Sequence, residues 1–195
     1  MAKFVKQQHK MAEEAMKRHI FEAVVTVTQK GNTTDFTMQQ IANEAEIAIG
    51  TLYNYFESKN TLLIYVFRQL LVASQERCQA IASGPGTADQ RLLRWATEFI
   101  KFGREYVIIF RLFDRSGLRS RMPEEERDRN TYQAIEQIKS ILVEGVEEGI
   151  FHKMDAPLMA KIFFAGIIGS LAMQPILNEL SAERLSRKLM RFLSP

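Results

Sequence analysis

Apolar positions recur at helical spacing over nearly the whole chain. Met16, Ile20, Ala23, Val24 and Val27 follow i, i+3/i+4 steps and predict a first helix that Gly31 can end. Thr37-Met-Gln-Gln40 reads as a capping box, opening a helix from about Thr37 to Ala45 with Met38, Ile41 and Ala42 inward. A second short helix, about Ile49 to Phe56, turns Leu52 and Phe56 inward. Leu62, Leu63, Val66, Phe67, Leu70 and Leu71 mark a long helix from near Ser58 to about Ala82, where Ser83-Gly-Pro-Gly86 breaks it. Farther on, Leu92 to Phe113 predicts two helices with a bend near Gly103, followed by a basic loop from Asp114 to Pro123. Pro123 and Glu124 to Glu126 place Pro and acids in the first turn of a helix that Gly149 can end near Glu148. An apolar helix from Asp155 to about Leu177 and a short one from Ser181 to near Leu193 complete the chain. No alternating segment of strand length competes, so the fold class is all-α.

Helices as short as those after Thr37 and Ile49 are not stable alone and must pack on their long neighbours. This predicts a three- or four-helix head over residues 1–60, joined by the long helix to a second domain over 61–195. A length of 195 residues, 46% of them hydrophobic and 25% charged, suits that division. One cysteine, Cys78, excludes a disulfide framework and fits a reducing compartment. The N-terminal stretch has no apolar signal-like region, and the longest uncharged apolar run, Ile162 to Met173, covers only about 18 Å against about 30 Å of bilayer. A cytoplasmic protein without a membrane partner is expected. His9, His19 and His152 are isolated, Cys78 lacks an electropositive setting, and no Gly-rich phosphate loop occurs. The expectation is therefore no enzyme, no metal and no cofactor.

The informative stretch is residues 36–63. Two short helices at an angle form a helix-turn-helix, which sets the N-terminal part of its second helix in the DNA major groove. The outward residues there are Ile49, Gly50, Thr51, Tyr53, Asn54 and Tyr55. Gly50 lets a phosphate approach the backbone, and Thr51 and the tyrosine hydroxyls can donate to phosphate oxygens. Asn54 can pair with an adenine edge, and Ile49 or the Thr51 methyl can touch a thymine methyl. Lys59 adds charge in the first turn of the next helix.

Thr37, Ile41-Ala42, Ala45, Gly50-Thr51-Leu52-Tyr53, Tyr55-Phe56, Ser58-Lys59 and Leu62-Leu63, preceded by Ile20-Phe21, Ala23 and Gly31, resemble the DNA-binding signature of TetR-type transcriptional regulators. The resemblance covers about residues 10–68. It implies an all-helical homodimer, joined through the last two helices at about 155–193, with N-terminal heads on operator DNA. It also implies a C-terminal domain that senses a small-molecule effector and releases the operator. The DNA-facing set is then Thr37, Gln39, Ile49, Gly50, Thr51, Tyr53, Asn54, Tyr55 and Lys59. Two positions depart from the family pattern. Glu46 stands where glycine is usual in the turn, and Ala48 stands where Ser or Thr commonly caps the recognition helix.

In the C-terminal part, Trp95, Phe99, Phe102, Phe110, Phe113, Tyr132 and Phe163 are the candidates for an apolar or aromatic effector, with ordinary core packing as the competing reading. Ala165, Gly166, Gly169 and Ser170 would let a second helix approach closely. The net charge of +3 is unevenly spread: residues 1–18 carry +3, whereas residues 37–56 hold two glutamates and no Lys or Arg. Lys3, Lys6 and Lys10, at helical spacing ahead of the first predicted helix, read either as a DNA-contacting arm or as a solvated terminus. The function expected is a ligand-responsive regulator, most simply a repressor. The alternative is an apolar-ligand-binding or interaction protein whose helix-turn-helix is structural only.

Overall fold

A computed structural model describes residues 2–31, 35–172 and 182–190. Its helices are α1 (Ala2–Gly31), α2 (Met38–Glu44), α3 (Ile49–Tyr55), α4 (Lys59–Ala82), α5 (Ala88–Glu105), α6 (Val107–Arg115), α7 (Glu124–Glu147), α8 (Ala156–Ala172) and α9 (Ala182–Met190), with one 3-10 turn at Leu118–Arg121. The fold is all-α, and no strand occurs among the described residues. The predicted ends of the last two helices, beyond Ala172 and Met190, lie outside those residues.

The chain forms two compact units. The first comprises residues up to Gln69 together with Tyr106–Arg121, and the second comprises Leu70–Glu105 with Met122 onward. In the first unit Ile20, Val24, Ile41, Leu52, Leu62, Leu63 and Val66 are buried, so the core joins α1, α2, α3 and the start of α4. Phe67 extends this core: its ring stacks on Phe113 with centroids 3.8 Å apart and meets the edge of Phe110 at 5.9 Å. Arg119 covers Phe67 from outside and is held by Asp114 at 2.9 Å. The basic stretch after α6 is thus anchored rather than loose, because Leu118 is buried beneath it.

Two predicted boundaries move. First, α1 starts at Ala2 rather than near Met16. Residues 2–15 show no apolar face, but they contain neither Pro nor Gly and are rich in Ala, Gln, Lys, Glu and Met. A Glu13–Lys17 pair at 2.5 Å adds i,i+4 support. Second, the α5–α6 break falls at Tyr106, not Gly103. Gly103 stays helical because it is a point of close approach: a Cβ there would lie 2.8 Å from the Leu171 side chain of α8.

In the second unit α7 pairs with α8, and α5 lies against α7, α8 and α9. Trp95 is fully buried at its centre. Its indole N–H donates to Gln137 Oε1 at 2.8 Å, and Gln137 Nε2 donates to Gln79 Oε1 at 2.8 Å, so the indole and the Gln137 amide are both paired inside this apolar core. Phe99 stacks on Trp95 and meets the edge of Phe164. Arg91 bonds the Ala82 carbonyl at the end of α4 and pairs with Glu144 of α7, which pins the Ser83–Gly86 break. Gly149, at φ +71, ends α7 as the sequence predicts.

Candidate nucleic-acid interface

The site begins with a cap. The Thr37 hydroxyl accepts from the Gln40 amide at 3.2 Å, and Gln40 Oε1 accepts from the Thr37 amide at 2.8 Å, completing the predicted capping box. Gln39, in the first turn of α2, is exposed and donates to Asn43 Oδ1 at 2.8 Å. At the other end of α2, Glu46 adopts φ 53. The Glu46 amide donates to Asn43 O at 3.1 Å and the Ile47 amide to Ala42 O at 3.0 Å, which is the double bond pattern of a Schellman stop. A residue with a Cβ therefore sits in the left-handed well at a cost of about 1–2 kcal/mol.

That turn has a further support. The Ala45 carbonyl, left over where α2 ends, accepts from His19 Nε2 of α1 at 2.9 Å. A carbonyl cannot donate, so Nε2 carries the proton. His19 thereby ties the middle of α1 to the turn that aims α3. No spacing pattern announces this contact, since the partners lie 26 residues apart.

In α3, Ala48 makes no side-chain cap bond, as its identity predicts. Leu52 and the following Phe56 enter the core, and the Phe56 ring meets Tyr65 of α4 at 5.1 Å. The opposite face carries Gly50, Tyr53 and Asn54, all exposed, with Tyr53 at 47%. Ile49, Thr51 and Tyr55 flank it, half-buried. A Cβ built at Gly50 meets nothing within 4 Å, and its backbone does not require positive φ. Nothing within the chain explains a glycine in this helical turn, where alanine would stabilise by about 0.4–1 kcal/mol.

Lys59 is placed differently from a free phosphate ligand. Its ammonium donates to Asp35 and to the Phe36 carbonyl, and lies 4.6 Å from the Phe36 ring centroid. The bond and charge of Lys59 hold the Asp35 carboxyl below its ordinary range. Lys59 therefore clamps the segment before α2 onto the start of α4, with 31% of its side chain exposed.

The aromatic set expected to line an effector site is divided between the two units. Trp95, Phe99, Phe102 and Phe163 belong to the second unit, Phe110 and Phe113 pack on Phe67 in the first, and Tyr132 is 65% exposed. Cys78 is buried and its thiol is pushed up to about 12, first by burial and then by the Glu98 charge, which leaves it unsuited to nucleophilic work. No cluster of His, Cys, Asp and Glu able to hold a metal occurs among the described residues.

Residues 20–66 match the family described as bacterial regulatory proteins, tetR family. Over 81 residues the chain is 31% identical to the HTH-type transcriptional repressor KstR of Mycolicibacterium smegmatis; the match spans 42% of this chain and only 40% of that protein's length. Two solved structures share the fold over nearly the whole chain. A TetR transcription regulator from Haloarcula marismortui superposes with a TM-score of 0.74 at 18% identity, covering 93% of this chain and 100% of that one. A putative transcriptional regulator from Saccharomonospora viridis, in complex with choline, gives 0.74 at 17% identity, covering 93% and 99%. The head, over residues 20–66, thus matches the tetR family of bacterial regulatory proteins, and the chain as a whole shares its all-helical fold with these solved structures.

Proposed function

We propose that the chain is a homodimeric DNA-binding regulator of transcription, acting as a repressor and released from its operator by a small, largely apolar molecule. The observation that carries the DNA-binding part is Gly50: a glycine with open space around it, beside exposed Tyr53 and Asn54, on the face that the head leaves uncovered. Such a face suits backbone approach to a phosphate, with hydroxyl and amide groups reaching the groove. Thr37, Gln39 and Thr51 are further candidates for hydroxyl and amide contacts, and Ile49 and Tyr55, half-buried on α3, for contacts at the margin. The similarity to a KstR repressor supports the direction of regulation.

The dimer reading draws on α8. Leu158, Ile162, Ala165 and Gly169 fall at i, i+4, i+7 and i+11, with Leu158 and Ile162 each 54% exposed and open space at Gly169. An apolar helix face of this kind suits a second copy of the chain. Paired heads would then read half-sites about 34–36 Å apart or a multiple of that. For the effector, Trp95, Phe99, Phe102 and Phe163 are the aromatic candidates within one unit, with the Gln79–Gln137 pair as the polar feature beside Trp95.

A mobility shift on the DNA flanking the chain's own gene tests the reading. Retardation by the folded dimer at low salt, relieved by an apolar molecule that co-purifies with it, is the expected result. Failure of folded dimer to retard any such fragment sinks it.

A further inference from the structure

Helix α1 runs far past the head that it helps to build. Ile20 is its first core residue and His19 its link to the α2–α3 turn, so residues 4–15 project as an overhang of about 18 Å. From residue 4 to residue 15 every side chain is exposed, including Phe4 at 66% and Met11 at 63%. The helix contains neither Pro nor Gly between its ends, so the overhang keeps a fixed direction relative to the turn that His19 holds. Glu14, Lys17 and Arg18 act on Tyr65, whose ring meets Phe56 just after α3. The base of the overhang therefore lies on the Tyr65 side of the head.

Its charge is one-sided. Residues 2–12 hold Lys3, Lys6 and Lys10 and no acid. Lys6 and Lys10, both exposed, stand one turn apart on α1, and the sequence puts Lys3 three positions ahead in the same register, a span of about 10 Å or roughly three nucleotides of one DNA strand. Lys6 has no ion-pair partner among the described residues, and Lys10 reaches only the exposed Glu14, at 3.8 Å. The helix-turn-helix itself has the opposite balance: residues 37–56 carry two glutamates and no cation, and Lys59 is engaged by Asp35. A head of this composition releases few counterions through its recognition helix.

We propose that the lysine edge of the α1 overhang is a second DNA-contacting surface, which grips phosphates beyond the major-groove half-site and supplies most of the salt-dependent affinity. This rests on the DNA-binding reading above and adds to it where the charge acts.

The test is the triple variant Lys3→Gln, Lys6→Gln, Lys10→Gln of the full chain. Glutamine has nearly the helix propensity of lysine, and circular dichroism checks that α1 persists. Affinity is read by fluorescence anisotropy as a function of salt on two duplexes, one ending at the half-sites and one extending about 10 base pairs beyond each. On the long duplex the variant dimer should lose about 5 units of the log–log salt slope, since six phosphate contacts disappear at about 0.9 each. Wild-type protein should show the same loss on the short duplex. An unchanged slope in a variant that still binds overturns the proposal, and so does lysine-dependent binding to phosphatidylglycerol vesicles with the DNA slope unaltered. A wild-type dimer that binds neither duplex at low salt overturns the regulator reading itself, a distinct outcome.

Discussion

Replacing Gly50 with alanine separates the needs of the fold from those of the site. Gly50 occupies the first turn of α3 with an ordinary helical backbone, and an added Cβ meets nothing within 4 Å. The methyl therefore costs no packing and removes freedom from the unfolded chain, for a gain of about 0.4–1 kcal/mol. In a protein of this size that corresponds to a rise in Tm of roughly 1–4 °C. On DNA the sign reverses. A methyl at the point of closest approach displaces the phosphate and weakens a charge-assisted hydrogen bond of about 1.5–3 kcal/mol at each head. One such loss is at least tenfold in Kd, and two heads compound it to about a hundredfold or more. Thermal unfolding followed by circular dichroism reads the first effect, and anisotropy on a fixed operator fragment at one salt concentration reads the second. A variant that gains stability and keeps full affinity would refute the placement of Gly50 against the backbone. One that loses stability would refute the open space drawn around it.

Other substitutions probe neighbouring parts of the same account. Glu46→Gly relieves the left-handed strain and should stabilise the protein by about 1 kcal/mol, measured as a higher urea midpoint with the m-value unchanged. Tyr53→Ala, at an exposed position, should weaken DNA binding while leaving Tm within about 1–2 °C, whereas Lys59→Ala should lower both, because its ammonium also clamps Asp35 and Phe36. Ile162→Glu on the exposed face of α8 should shift sedimentation from dimer to monomer without loss of helicity; an intact dimer would move the interface elsewhere. Cys78, with its thiol pushed up to about 12, should resist iodoacetamide at pH 8 in the folded protein and react fully in denaturant. The sign follows from the thiolate being the reacting form: the folded protein holds the proton at that pH, and the unfolded chain releases it more readily.

The head was readable because its information is local. Thr37 and Gln40 cap a helix three residues away, and Leu52 and Phe56 repeat at helical spacing. Glu46 stands where the turn usually has glycine, and it takes the left-handed backbone that a glycine would. What the sequence concealed is of another kind. Gly103 looks like a bend, and only the arrival of Leu171 from α8 shows that it is a gap for a neighbour. The first half of α1 buries no face, so periodicity had nothing to detect there. His19 and Lys59 looked like an idle histidine and a free cation until distant backbone carbonyls came to meet them. Phe110 and Phe113 complete the core around Phe67, a pairing between segments some 40 residues apart that no spacing rule reports.

Hydroxyl-radical footprinting of the folded dimer on the DNA flanking its own gene reads whether α3 enters the groove. Two protected tracts on one face of the duplex are expected, centred about 34–36 Å apart or at a multiple of that distance, and faded together by Tyr53→Ala. Uniform cleavage at low salt, with dimer present and folded, would contradict the assignment of α3 as a helix that reads DNA.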